Sequence, residues 1–518
     1  MSRRFDAVVV GGGTNGLVAA ITLARAGRKV LLAEAGNELG GVLREYEFTP
    51  GFRAVPCVTD SGYLSPEIIR ATGLSALAEE IPPNASVVVL GEGEPLQLHR
   101  DDARTAWGLK RISPKDAERW PAFSSQVHRF TQFLAQLYRA PPPRIDASSL
   151  GELCGLANLG LKFHRLGKTD MIEFMRALPN CAADWLDDWF ESTRLKGLLA
   201  ALAVSDVAQG PMSGGTAFTF LHRHVGASQG VFGERLRLRM GPAALIAALA
   251  ERARAAGVVI ETATAVERVV VRNDRIAGAV LASGEDVACS SVISSLNPTR
   301  SLFELLDPKY LEVEFIQAVR NIRYRGATTR ILLALDALPE APVSLSSGLL
   351  IAPSTRYVEQ AYDAVKYGRC SDEPVIELRF PSVTQANLAP RGKHVAVLHV
   401  QYTPYALREG NWNQMRDRIA DRAIEIVERH LPGLSSCIRE RVVLTPPDLE
   451  ARFGLREGAA SQGEMMLDQI LFMRPVVGWS HYAMPVPGFY LCGTGTHPGG
   501  GITGMSGWLA AKSARSAS

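Results

Sequence analysis

The strongest constraint on this chain lies in its first 34 residues. Ala7, Val8, Val9 and Val10 make a short apolar, β-branched run that reads as a buried parallel strand. It leads straight into Gly11-Gly12-Gly13-Thr14-Asn15-Gly16, a G-x-G-x-x-G sequence. Leu17, Ala20, Leu23 and Ala24 then recur at helical spacing, with Gly27 as the stop. A second strand over 29–33 ends at Glu34, 18 residues after Gly16. Each part answers a demand of dinucleotide binding: Gly11 allows a tight turn, Gly13 lets backbone approach a pyrophosphate, and Gly16 lets the helix pack on the strand. The helix start offers free N–H groups and a positive dipole end to phosphate. Glu34 can accept both hydroxyls of an adenosine ribose. A lone G-x-G-x-x-G is weak evidence, but strand, helix, second strand and acid in this order are strong.

The pair Gly40-Gly41 adds a second stretch of bare backbone six residues after Glu34. That feature belongs to flavoproteins more than to nicotinamide dehydrogenases, and no second strand–G-x-G-x-x-G–helix unit follows it. The expected cofactor is therefore FAD, held non-covalently because no Cys or His attachment motif is evident, with an electron acceptor other than NAD(P). The cofactor set read from this end is Gly11, Gly13, Thr14, Asn15, Gly16, Glu34, Ala35, Gly40, Gly41 and Val42.

The far end repeats the pattern. A buried strand over 489–492 runs into a glycine-rich loop over 493–504, and a helix follows from about Trp508 to Ser513. Glycine lets backbone lie flat against a ring or phosphate. Gly493, Thr494, Gly501, Ile502 and Thr503 join the cofactor set.

Composition narrows the remaining choices. In 518 residues, 47% hydrophobic and 21% charged with net charge +3, nothing favours disorder or nucleic acid. Seven widely spaced cysteines contain no C-x-x-C, which excludes a redox dithiol and a zinc ribbon, and no metal is expected. The longest clean apolar run, 240–250, is too short to span a bilayer. The expectation is a cytoplasmic protein. Residues 150–166, rich in Leu and Gly beside Lys162, Arg165 and Lys168, leave peripheral membrane contact open. A core helix is the stronger reading, since such stripes normally face a core.

VVVGGGTNGLVAA at 8–20, LGGVLREYEFTPGFR at 39–53, WLDDWFESTRLKGLLA at 185–200 and LCGTGTHPGGGITG at 491–504 together resemble the phytoene desaturase-type flavoproteins of the flavin amine oxidase superfamily. Within these, the chain is similar to the phytoene dehydrogenase-related, pyridine nucleotide–disulfide oxidoreductase domain 2-like subgroup. The resemblance implies an α/β fold: a Rossmann-like FAD-binding domain built from 1–75, 230–300 and 440–518, plus an α+β substrate domain of helices and a mixed or antiparallel sheet from 76–229 and 301–439. It also implies that Val266 meets the adenine.

The activity implied is a dehydrogenase or desaturase that oxidises a C–C or C–N bond of an apolar small molecule by hydride transfer to flavin, with oxygen or a quinone as acceptor. An amine oxidase, a redox-neutral double-bond isomerase and a non-enzymatic flavoprotein subunit are the alternatives. Oligomeric state is not legible. His222 matches a family histidine and is the acid/base candidate. Gln462 stands where the subgroup usually has a histidine and cannot act as a base near neutral pH. His224, Ala460, Tyr482 and His497 are expected around the substrate. The small residues before Gly463 imply a different or larger substrate than that of the relatives. Val42 replaces a frequent arginine, with Arg44 as the candidate substitute, and Thr494 replaces the acid of many flavoproteins.

Overall fold

The computed structural model describes residues 3–74, 77–79, 85–91, 93–143, 150–238 and 240–516. The expected domain boundary at 75–76 lies outside them. The heart of the cofactor domain is a five-stranded parallel sheet in the order Val259–Glu261, Val30–Ala33, Ala7–Val10, Ser291–Ser294, Phe489–Leu491. Three distant parts of the chain thus meet in one sheet. The unbroken apolar run at Ala7–Val10 follows from burial on both faces. Val9 turns toward Leu17, Leu245 and Leu509 of the helices Thr14–Ala24, Pro242–Ala255 and Met505–Ser516. Val8 and Val10 turn the other way, toward Val269, Ile276 and Ala279 of a second sheet. That sheet runs Arg3–Arg4, Asp286–Ala288, Arg275–Leu281, Val266–Arg272, so the paired arginines near the N-terminus are strand residues, with Arg3 bonded to Glu261 and Glu285.

The second domain is built on a seven-stranded sheet: Ile438–Leu444, Thr328–Leu335, His394–Gln401, Ile376–Arg379, Gly348–Ile351, Ala85–Leu90, Leu96–His99. All neighbours are antiparallel except the parallel pair Gly348–Ile351 and Ala85–Leu90. Strand Ile438–Leu444 corrects the expected boundary at 440, because it pairs with Thr328–Leu335 through one bulge, from Arg330 opposite Leu444 to Leu335 opposite Ile438, and so belongs to this sheet. The two faces of the sheet differ in chemistry. Ile331, Leu333, Leu378, Leu398 and Val400 pack on Ile419, Ala423 and Val427 of the helix Trp412–Glu428. The opposite face is apolar where Leu332, Val395 and Val397 meet Phe48, Phe52 and Ala54 of the hairpin Tyr46–Thr49/Phe52–Ala54. Beyond that contact it carries Arg330, His399 and Glu377 side by side across three strands.

Helices Pro114–Leu137, Thr193–Ala203 and Thr216–Arg223 cover the domain through an aromatic cluster of Trp120, Phe123, Phe190, Phe220 and Phe232. Helix Leu150–His164 is a correction: it is no core helix. Phe163 alone reaches the aromatic rings of Phe133 and Phe174, while Leu153 and Leu161 remain 51% and 48% exposed. Leu156, Leu159 and Phe163 share its half-buried face, and Leu153 and Leu161 lie outside it. Among the described residues no helix is long and apolar enough to cross a membrane.

Candidate active site

A cleft of about 440 Å³ lies beyond the C-terminal ends of the parallel strands, where ligands of open α/β sheets bind. Gly11, Gly13, Thr14, Asn15, Glu34, Ala35, Gly40, Gly41, Val42, Val266, Thr494, Gly501, Ile502 and Thr503 all line it, so one cavity gathers residues from both glycine-rich ends. Gly16 and Gly493 do not line it. A Cβ on Gly16 would sit 1.9 Å from the Gly11 carbonyl oxygen, and one on Gly493 would sit 2.5 Å from that of Ser295. Both are glycine because backbone packs against them, behind the cavity wall.

The cleft fits a dinucleotide on several counts. Helix Thr14–Ala24 begins at Gly13 with no side-chain cap and no acid in its first turn, so its first N–H groups are left for an anion. The Glu34 carboxylate takes the Gly12 and Gly36 N–H groups at 2.6 and 2.8 Å, which fixes it at the end of its strand where a ribose would lie. Gly41 has a left-handed φ of 56° and a missing side chain that would come within 3.3 Å of the Gly13 Cα. Arg44 lines the cleft, donates to the Arg452 carbonyl and stacks over Phe453.

Sequence reading overlooked the segment 57–63. Val58, Asp60, Ser61 and Gly62 line the cleft. Tyr63 exchanges backbone hydrogen bonds with Gly501 and Thr503, and the Thr503 hydroxyl donates to the Ser61 carbonyl. Behind the C-terminal loop, the buried Arg474 guanidinium donates to the carbonyls of Thr494, Ser461 and Gly463. Burial lowers its pKa to about 10. Gln462 lines the cleft and ties the C-terminal glycine loop to the end of strand Ser291–Ser294: its Nε2 donates to the Ser295 carbonyl and its Oε1 accepts from the Gly495 N–H.

His222, His224 and His497 line neither the cleft nor the cavity beside it. His222 accepts from the Tyr138 hydroxyl at Nδ1 and donates from Nε2 to the Gly500 carbonyl, each at 2.8 Å. Both nitrogens are occupied and neither is left for a substrate, which corrects the expectation that placed His222 at the chemistry. His224 donates to the Phe220 carbonyl, accepts from Gly233 and stacks on Phe220, in the aromatic core and not at a pocket. Tyr482 is fully buried and donates to the His497 carbonyl. The His497 ring packs on Tyr138. Ala460 packs beside the apolar cluster of Phe48 and Leu449. Burial holds all three histidines near pKa 3 and thus neutral.

A second cavity of about 130 Å³ adjoins the cleft and shares Val58, Asp60 and Ser61 with it. Its far wall is the polar face of the seven-stranded sheet, through Arg379, Val397 and His399. Its lining mixes apolar side chains such as Leu236, Leu345 and Phe380 with Asp60, Glu234, Arg237 and Arg379. Asp60 pairs with Arg235 at 2.9 Å, Arg237 with Glu234 at 3.0 Å, Arg379 with Glu377 at 2.9 Å and Arg330 with Asp206 at 2.6 Å. Arg223 reaches Glu377 at 3.6 Å. Burial would raise Asp60 and Asp206, but Arg235 and Arg330 beside them hold both below the usual carboxylate range.

The profile described as "Flavin containing amine oxidoreductase" matches residues 108–515, and one described as "NAD(P)-binding Rossmann-like domain" matches 9–62. A Rattus norvegicus protein called pyridine nucleotide-disulfide oxidoreductase domain-containing protein 2 is 34% identical over 98% of this chain and 92% of its own length. A lycopene-forming phytoene desaturase of Pseudescherichia vulneris is 24% identical over 96% of both. A solved structure of a putrescine oxidase triple mutant shares the fold, with a TM-score of 0.61 at 12% identity over 100% of this chain and 98% of that one. The seven cysteines are free thiols, so the disulfide in the first relative's name has no counterpart here. With its glycine-built cleft, its two sheets and a match over most of its length, this chain belongs to the flavin-containing amine oxidoreductase family and is a flavin-dependent oxidoreductase of that superfamily.

Proposed function

We propose that this protein is a dehydrogenase that holds FAD non-covalently and oxidises a C–C or C–N bond of a small molecule, passing the electrons on to oxygen or a quinone. The observation that carries this reading is the cavity that shares Val58, Asp60 and Ser61 with the cofactor cleft, since a molecule seated in it abuts whatever fills the cleft. Bound flavin supplies the hydride-accepting chemistry. The chain supplies position: Glu34 for the ribose, the uncapped helix start for the pyrophosphate, and the loop 493–504, clamped by Arg474 and His222, for the ring end. Among the described residues no Cys or His lines the cleft, which favours non-covalent attachment.

The test needs no known substrate. Flavin-loaded protein is reduced anaerobically with dithionite, then mixed with oxygen or a soluble quinone. Reoxidation by at least one of them within seconds is expected. Reduced flavin that neither acceptor reoxidises would overturn the dehydrogenase reading.

A further inference from the structure

We infer that the substrate carries a carboxylate, held by Arg379 and His399 on the sheet side of the cavity next to the cofactor cleft. This rests on the function proposed above and names the chemical class that the cavity takes.

The first support is the cost of the wall. Taking charges out of water costs several kcal/mol each in order of magnitude, and a pocket for a hydrocarbon has no use for them. Yet this face of the sheet turns Arg330, His399, Glu377 and Arg379 inward, while the opposite face of the same strands packs Ile331, Leu333, Leu378, Leu398 and Val400 into an apolar core. Among the described residues the cavity lining carries Asp60 and Glu234 against Arg237 and Arg379, and the layer behind it sets Arg223, Arg235 and Arg330 against Asp206 and Glu377, so the cationic surplus lies behind the wall. A surplus of that sign favours a monoanion over a protonated amine.

The second support is a pair of groups with hydrogen-bonding capacity left over. His399 is only 6% exposed, lines the cavity, and has a buried Nδ1 without a hydrogen-bond partner among the described residues. Such an atom calls for a partner that arrives. The Arg379 Nε donates to Glu377, but Nη2 lies near the same carboxylate oxygen without hydrogen-bond alignment, and Nη1 is 3.9 Å from Glu234. The fork of a guanidinium matches a carboxylate in two-point contact. Burial first, then Arg330, Arg379 and Arg223, keep His399 well below its ordinary pKa, so it is neutral while the cavity holds no anion.

Calorimetric titration of the flavin-loaded protein tests this with acetate, butyrate and benzoate against acetamide, butyramide and benzamide, their neutral isosteres. At least one carboxylate should bind saturably, its amide roughly tenfold more weakly, the size expected for a charge-assisted contact. R379Q should weaken the carboxylate by a similar factor, with R379K keeping part of the affinity. If R379Q does not fold, H399N makes the same comparison. Amides that bind as tightly as carboxylates, no carboxylate binding at all, or variants that bind like the wild type would each overturn the inference. Flavin content, read from absorbance in the same samples, separates the two claims. Carboxylate binding by a protein that cannot take flavin would sink the proposed function and leave the anion site standing.

Discussion

The cofactor cleft and the cavity beside it share three residues and are built on opposite plans. The cleft is made of backbone: glycines whose missing side chains let chain segments and a ligand come close, with Glu34 as a fixed carboxylate. The cavity is made of side chains: guanidiniums, carboxylates and an imidazole projected from sheet strands and from the segments 57–61 and 234–238. Backbone cradles fix a common ligand across many proteins, whereas side-chain walls set what one protein accepts. Cofactor chemistry is thus separable here from substrate choice, and substitutions should affect one without the other.

Acid should have the largest effect, and on the cleft. His222, His224 and His497 have folded pKa values near 3, below the ordinary 6.5. Unfolding lets them take up protons, so their contribution is fully present above pH 6.5 and is lost as pH falls toward 3. Each gives a slope of about 1.4 kcal/mol per pH unit in that window. Melting temperature should fall steeply below pH 6, and because His222 and His497 brace the glycine loop, flavin release should accompany it. A melting temperature flat from pH 7 to 4.5 would contradict the burial assigned to them.

Gly16→Ala should come next, at about 3 kcal/mol of stability with loss of bound flavin, because its Cβ would collide with the Gly11 carbonyl. Flavin absorbance per protein and a melt read this directly. Arg474→Met should cost about 2 kcal/mol, since it strands the carbonyls of Thr494, Ser461 and Gly463, and should loosen flavin in proportion. The smallest effect sharpens the contrast most. Glu34→Gln should weaken FAD about tenfold and leave benzoate affinity within about twofold, while R379Q should do the reverse. Paired titrations showing both variants losing both ligands equally would merge the two regions into one.

The cleft was legible in the sequence because glycine has few other reasons to cluster. Where backbone must pass within 2 Å of a would-be Cβ, as at Gly16, only one residue type fits, and the spacing records the geometry. The cavity was not legible because its parts lie far apart in the chain and each has an ordinary alternative. Lysines and arginines spread along the chain read as solvated faces, and His399 reads with Val395 and Val397 as one side of an alternating strand over 393–401. The available signal was an ionisable residue inside an otherwise apolar run, as in Thr328–Leu335 and His394–Gln401, where both faces of the strand are buried. The histidines misled for the converse reason. An imidazole serves a catalytic site and a structural brace equally well, and only its partners distinguish them: Tyr138 and the Gly500 carbonyl in the case of His222. Helix Leu150–His164 misled because its apolar stripe is narrow: Leu156, Leu159 and Phe163 are half-buried, and Leu153 and Leu161 face solvent.

The central claim is that the glycine-built cleft holds one FAD per chain without a covalent bond. The direct measurement is a visible absorption spectrum of the purified protein, followed by heat release and identification of the chromophore. The account predicts flavin bands in the spectrum, about one FAD per chain as a single dinucleotide fold requires, and complete recovery of the flavin in the supernatant after heating. A protein that stays colourless after incubation with FAD, or whose flavin remains with the precipitated chain, would contradict it.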